Sequence, residues 1–254
     1  MRLKDLDMIQ RAREWYHGLT LLPGAWAIVR VDGRAFSRLT EERYEKPFDP
    51  AFADAMVAAA TELLTELGGR YAYTESDEIS VLLDPAWSLF GRSVEKLVSI
   101  SASVATAGFT MATGAPGTFD ARVWLGTSPG DVIDYFSWRQ ADAGRCALNG
   151  WCYWTLRGEG LSGRSATSAL AGLDTSGKNE LLFERGINFA EVPAWQRRGV
   201  GLWFEEYESD GFDPARGESV VARRRRVRVE RELSAGDVYR ADLGRLLLLP
   251  RNAR

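Results

Sequence analysis

Apolar residues in this chain follow two rhythms, and the switches between them mark its elements. AWAIVRV, residues 25–31, is a nearly continuous apolar run of strand length, the pattern of a buried strand. A loop is expected from there through EKPFDP, residues 45–50. PAFADAMVAAATELLTEL, residues 50–67, repeats its apolar positions with helical period and ends against Gly68 and Gly69, where a helix stops readily. RYAYTE (70–75) and EISVLL (78–83) read as short strands joined at Ser76-Asp77, a hairpin. A second helix covers 91–113, and FDARVWLG, residues 119–126, makes a last strand. The order βαββαβ is that of the ferredoxin-like split unit, an α+β fold.

In the usual arrangement of that unit the first and third strands are central neighbours running in opposite directions. The end of the first therefore lies beside the start of the third. Asp32 occupies the first place, and Asp77 and Glu78 the second. Carboxylates brought together in this way repel unless a cation lies between them, and oxygen-only ligands suit Mg²⁺, which takes few carboxylates plus substrate phosphates. The expectation is a two-metal nucleotidyl-transfer site bridged by Asp32 and Asp77. Gly33 allows close backbone approach and offers its carbonyl as a further ligand. Because successive strand residues face opposite ways, Glu78 is expected to support the site from behind.

Composition narrows the alternatives. With 254 residues, 45% of them hydrophobic, the chain can bury a large core as one domain or a domain with an extension. Net charge is −3, from 32 basic and 35 acidic residues, so contact with a polyanion must come from local patches. MRLKDLDMIQ at the start mixes both signs and lacks the apolar stretch of a secretory signal, and no run approaches membrane-spanning length. Cys146 and Cys152 lack CxxC spacing and read as reduced thiols of a cytoplasmic protein. His17 is the only histidine, which removes most hydrolase and zinc chemistry. GTSPG, residues 126–130, has the form of a nucleophile elbow, but no histidine follows Ser128 as that machinery needs. It reads as a turn with Pro129 placed for helix entry.

Seven ordered motifs then carry a resemblance. VRVDGRAF, KPFD (46–49), ESDEISVLL, FGRSVEKLVS (90–99), FDAR (119–122), SWRQAD (137–142) and GKNELLFERGIN (177–188) resemble the tRNA-His guanylyltransferase family, including members that extend RNA from 3′ to 5′. The match runs from about residue 6 to 206. The resemblance implies a polymerase-palm-like domain, two Mg²⁺ ions, ATP and a nucleoside triphosphate such as GTP as substrates, tRNA as partner, and a homotetramer. It also implies a reaction order. ATP first adenylylates a 5′-monophosphorylated RNA end, releasing pyrophosphate. The 3′-hydroxyl of an incoming nucleotide then displaces AMP, and an end that already carries a triphosphate skips activation.

Position by position, the resemblance gives Asp32, Gly33 and Asp77 as metal ligands and Glu78 as their acidic partner. It places Arg34, Ala35, Phe36, Ser37 and Ser76 around the nucleotide, and Arg92 and Lys96 on its triphosphate. The last two would share a face at the start of the second helix. Arg30, Lys46, Asp49, Asn149 and Lys178 are candidate contacts near the 5′ end or the activating nucleotide. Three departures stand out: Ser37 replaces a common histidine, Ser93 a common basic residue, and AGRCALNG (143–150) the eukaryotic His-Ile-Asn-Asn pattern associated with the tRNA-His anticodon. The last departure favours templated repair of 5′-truncated tRNAs over single-G addition to tRNA-His.

Residues 1–135 are expected to form a palm-like catalytic domain with an N-terminal helix, and 136–254 a helical and strand extension packed on it as one compact unit. The long segment 132–158 carries an aromatic stripe of Tyr135, Phe136, Trp138, Trp151, Tyr153 and Trp154, better explained by burial than by base stacking. Gly144 and Gly150 suggest a break in that helix. Arg139 and Arg145 face RNA or water. Arg223, Arg224, Arg225 and Arg226 either neutralise tRNA phosphates or guard an exposed edge strand. The final segment DLGRLLLLPRNAR is expected to pack its leucines and then fray. Two other classes share the βαββαβ order or its carboxylates. An RNA-recognition module needs stacking aromatics on its third strand, which ISVLL lacks. A nucleotide cyclase would turn over triphosphate without RNA.

Overall fold

The computed structural model describes residues 2–213 and 217–248. A six-stranded sheet lies at its centre, ordered β4-β1-β3-β2-β5-β6. The strands are β1 (Trp26–Gly33), β2 (Tyr71–Glu75), β3 (Glu78–Leu83), β4 (Phe119–Gly126), β5 (Val200–Asp213) and β6 (Glu218–Glu230). All five pairings are antiparallel, and β1 and β3 are central neighbours. Around the sheet lie α1 (Leu3–Arg11), α2 (Phe36–Arg43), α3 (Pro50–Leu67), α4 (Val94–Thr113), α5 (Pro129–Gly158), α6 (Gly163–Leu170), α7 (Thr175–Phe183), α8 (Ala194–Arg198) and α9 (Gly236–Leu248).

Strand alternation sends successive side chains to two different cores. Val29, Val31, Ile79 and Val81 pack against Met56 and Leu63 of α3 and Phe109 of α4. Ile28, Leu82, Tyr71 and Tyr73 pack instead against Val132 and Phe136 of α5 and Tyr239 and Leu243 of α9. The leucines expected to pack near the C-terminus thus do so through Leu243, Leu246 and Leu247. The expected fraying beyond Leu248 lies outside the described residues.

Local chemistry explains most boundaries. The Asp49 carboxylate accepts from the Ala51 amide at 2.7 Å and caps α3, and Gly68 closes that helix at φ 56, a left-handed conformation suited to glycine. Ser128 and Asp131 form a capping box that starts α5 one residue before Pro129, so GTSPG is a turn and a cap. The expected loop after β1 contains a helix, α2. Its apolar pattern is weak because Phe36 is its only buried residue.

The expected break in α5 does not occur. The helix runs unbroken for 30 residues, about 45 Å at 1.5 Å per residue, and it crosses the boundary expected at residues 135–136. A Cβ at Gly144 would lie 3.4 Å from the Arg197 carbonyl, so packing against α8 outweighs the poor helix propensity of glycine. The second half of α5 builds a third cluster, in which Leu148, Cys152 and Leu156 meet Ala166 and Leu170 of α6 and Leu182 of α7. Both cysteines are free thiols, Cys152 buried and Cys146 exposed. Among the described residues no helix is long and apolar enough to cross a membrane.

Candidate active site

Register assembles an acidic edge. Asp120 of β4 lies opposite Asp32 of β1, Asp32 opposite Glu78 of β3, and Glu78 opposite Glu75 of β2. One level deeper on the same face, Arg122, Arg30, Ser80 and Tyr73 line up in the same way. Asp77 sits in the two-residue turn between β2 and β3, beside Ser76 at φ 48. The Gly33 amide donates to the Asp77 carbonyl at 3.0 Å and ties the end of β1 to that turn. A Cβ at Gly33 would lie 2.6 Å from the Phe36 ring and 2.9 Å from the Asp77 Cβ. Only glycine permits this approach.

Burial raises the proton affinity of Asp77, Glu75 and Glu78, and neighbouring carboxylates add to it. Burial pushes Asp77 up, and Asp32 adds to the shift, while the Ser76 hydroxyl, 3.1 Å from Oδ1, and the Lys46 charge oppose it. Burial pushes Glu75 up to about 8, with Glu78 contributing and Arg139 opposing. Glu78 is raised by burial against the pull of Arg139 and Arg30. Asp32 is the more open ligand candidate, with 40% of its side chain exposed and Arg122 Nη2 at 3.4 Å, which also lies 3.2 Å from Asp120.

Glu78 is held from behind. Arg139 of α5 donates from Nε to Oε1 at 2.7 Å and from Nη2 to Oε2 at 2.8 Å, a bidentate grip. The same guanidinium reaches Glu75 at 3.2 Å and Asp142 at 3.2 Å, and it lies over the Trp138 ring at 4.6 Å. With 6% of its surface exposed, Arg139 faces neither RNA nor water, the two alternatives left open by the sequence. Arg30 approaches Glu78 at 3.7 Å, its Nε buried without a hydrogen-bond partner.

The remaining candidates divide by position. Arg34, Ala35 and Ser37 are exposed around the start of α2, where Ala35 adopts φ 62. Phe36 is core: it packs on Phe109 and Phe119 with centroids 5.0 and 4.9 Å away, and at 2% exposure it presents almost no surface to a nucleotide. Lys46 donates to Thr40 Oγ1 at 2.7 Å and lies 5.6 Å from the Trp154 ring of α5. Burial pulls its ammonium down, against the charges of Glu41, Asp49 and Asp77. Lys46, Asp49, Glu75, Ser76, Trp195 and Gln196 line one cavity beside the turn. The Asp49 carboxylate is nevertheless committed to backbone: burial would raise it, but the amides of Glu45, Ala51 and Phe52 bring it below its ordinary value.

Arg92 and Lys96 do not reach this edge. Leu21 donates its amide to the Arg92 carbonyl, and Thr20 bridges to Ser93. These residues precede β1, so the pair lies at the end of the sheet opposite Asp32. Arg92 also lies outside the helix, at φ 61 before α4 begins, and its guanidinium donates to the carbonyls of Pro85 at 3.0 Å, Trp87 at 2.6 Å and Leu22 at 2.7 Å. Lys96 is exposed on the first turn of α4. The expected helical pairing of the two is corrected: Arg92 braces a loop, and the structure brings neither residue to the carboxylates within one chain. Asn149 is exposed on α5, Lys178 half-buried on α7, and Arg145 is exposed beside Asp142 at 2.6 Å. Arg223, Arg224, Arg225 and Arg226 are exposed on β6, the outermost strand.

Sequence reasoning did not place Asp120 and Arg122 in the site, although period-two alternation in FDAR puts both on one face. Among the described residues, no group of three or more His, Cys, Asp or Glu side chains could hold a metal ion by itself. All six residues of β3 are buried, so the strand offers no exposed stacking platform.

Comparison with known proteins settles the family. Residues 9–126 match the model described as tRNAHis guanylyltransferase, and 130–241 the Thg1 C terminal domain. A tRNA(His) guanylyltransferase of Debaryomyces hansenii is 34% identical over 242 residues, covering 88% of each chain. The chain belongs to the tRNA-His guanylyltransferase family. A Neurospora crassa tRNA(His) guanylyltransferase is 35% identical over 74% of this chain and 69% of its own length. A bacterial guanylyltransferase-like protein solved in complex with ATP superimposes with TM-score 0.74 and 26% identity, over 96% of this chain and 100% of that one. A bacterial guanylyltransferase-like protein in complex with GTP gives TM-score 0.72, 27% identity, and coverage of 97% and 100%. Members of the family are nucleotidyltransferases, and this chain is one of them.

Proposed function

We propose that this family member adds nucleotides to the 5′ end of tRNA in the 3′-to-5′ direction and repairs 5′-truncated tRNAs against their own acceptor strand. The observation that carries the site is the juxtaposition of Asp32, Gly33 and Asp77 where β1 and the β2–β3 turn meet. We read β4-β1-β3-β2 as a ferredoxin-like, polymerase-palm-like sheet, with the second half of α5 as the opposite wall of the cleft.

The donors present fit Mg²⁺. Asp32 and Asp77 are oxygen ligands of one charge brought to one edge, and substrate phosphates complete the shell of a metal held by so few carboxylates. Asp32, Asp77 and the Gly33 carbonyl would hold the ions, which would supply charge neutralisation at the reacting phosphate and hydroxyl. The chain's own residues do the rest. Gly33 keeps the two ligand segments in contact, Ser76 restrains Asp77, and exposed Arg34, Ala35 and Ser37 face the incoming nucleotide. Lys46 places a positive charge near Asp77, suited to a phosphate of the RNA end or of ATP. ATP and GTP, the nucleotides in the solved relatives, are the proposed activating and incoming substrates.

AGRCALNG on α5 is the feature that favours repair over tRNA-His specificity. The second reading, addition of a single G to tRNA-His, draws on the names of the curated relatives. One assay separates them: protein, Mg²⁺, ATP and four NTPs with 5′-monophosphorylated tRNA-His lacking its extra guanosine, and with another tRNA lacking its first nucleotide. Repair predicts extension of the truncated species by the complementary nucleotide. Extension of tRNA-His alone would restore the second reading, and extension of neither would remove the polymerase assignment.

A further inference from the structure

Glu75 and Glu78 flank the turn that carries Asp77, and they are directly opposed in the last pair of the β2–β3 ladder. Two buried carboxyls in that position destabilise a hairpin unless they are partnered, by repulsion when both are charged and by lost solvation when one is protonated. Both side chains are nearly buried, at 12% and 10% exposure, so water screens them little. Left alone, the two strands would splay at the point where the structure holds a candidate ligand. Arg139, on α5 packed over the same sheet face, contacts both.

We infer that Arg139 is a positioning residue: its guanidinium clamps both feet of the Ser76–Asp77 turn to α5 and thereby fixes Asp77 relative to Asp32. The inference rests on the proposed site and adds a cause for its geometry. A guanidinium suits the role because it offers five N–H donors in a rigid plane. Here Nε and Nη2 take Glu78, Nη2 also takes Glu75, and Nη1 takes Asp142. Trp138 supports one face of that plane at 4.6 Å. A second tie, from the Gly33 amide to the Asp77 carbonyl, holds the turn to β1 through backbone rather than through the glutamates. Arg139 thus bridges the two feet, whereas Arg30 approaches Glu78 at 3.7 Å. The arrangement also ties the long helix to the catalytic edge, since α5 carries both the clamp and Trp154, whose ring lies 5.6 Å from the Lys46 ammonium.

The test compares full-length wild type with Arg139→Gln and Arg139→Lys. Hydrogen exchange of the 71–83 segment is measured alongside kcat and KM for nucleotide addition to a triphosphorylated tRNA end, which needs no activation. Removing the charge should speed exchange in the turn about tenfold or more while α3 and α4 keep their protection, because the ladder end then opens locally. It should lower kcat about a hundredfold with KM for tRNA changed less than about threefold, the split expected when transition-state geometry is lost and ground-state binding kept. Lysine keeps the charge without the fork and should recover about tenfold of that kcat. Wild-type exchange in the turn of the Gln variant, or wild-type kcat in a folded Gln variant, overturns the clamp. Should the Gln variant not fold, the Lys variant decides, and wild-type kcat and exchange there overturn it too. Exchange reads the clamp even if wild type adds no nucleotide, an outcome that would reject the polymerase reading alone.

Discussion

Two parts of this molecule concentrate charge, and they treat it in opposite ways. At the carboxylate edge, Asp120, Asp32, Glu78 and Glu75 stand side by side next to the turn that carries Asp77, and burial raises the proton affinity of Glu75, Asp77 and Glu78. On the β5–β6 ribbon, acids and bases face each other across an exposed ladder: Glu205 opposite Arg226, Glu206 opposite Arg225, and Glu208 opposite Arg223. Arg226 Nε bonds Glu205 at 2.7 Å, and Arg225 lies 3.6 Å from the Phe204 ring centre. The ribbon is balanced within itself, whereas the edge gains by recruiting cations. Local net charge is therefore a poor guide to a site; convergence of one sign under partial burial is a better one.

The largest break in this contrast comes from Asp32→Asn. Nucleotide addition should fall about a thousandfold or more if the carboxylate stabilises charge developed in the transition state, with thermal stability unchanged or slightly higher as the acids repel less. A parallel rate and melting measurement checks both. Next in size, Glu78→Gln removes the bidentate partner of buried Arg139 and should cost about 3 kcal/mol of unfolding free energy, read by denaturant melts. Changing the ribbon should do less. Arg223→Ser with Arg224→Ser should weaken tRNA binding about tenfold at low salt, flatten its salt dependence, and leave kcat unaltered. A ribbon variant with lost kcat would show that the region shares in catalysis, and the contrast would fail.

Strand order makes part of this edge legible in the sequence itself. Asp32 and Asp77 are far apart in the chain, yet antiparallel β1 and β3 leave them one meeting place, and short apolar runs of strand length reveal both strands. The misreadings arise where a side chain's direction depends on non-local contact. Arg92 and Lys96 look like a helical pair, but the left-handed backbone at Arg92 precedes α4 and turns its guanidinium to loop carbonyls. Arg139 looks like one more charge on a long helix, and nothing within SWRQAD says that it meets two glutamates of a distant hairpin. The glycines of α5 suggest a break because propensity counts only the helix itself, while α8 packs against Gly144. α2 escapes a pattern reading because a single buried Phe36 leaves no periodicity.

The most direct test of the carboxylate edge as the transfer site uses Asp77→Asn with a triphosphorylated, 5′-truncated tRNA in Mg²⁺, following single-turnover addition and tRNA affinity on the same preparation. Transfer should fall about a thousandfold or more while the tRNA Kd stays within about threefold, the signature of an interaction made in the transition state. Addition at the wild-type rate would contradict the assignment and move the chemistry away from this edge.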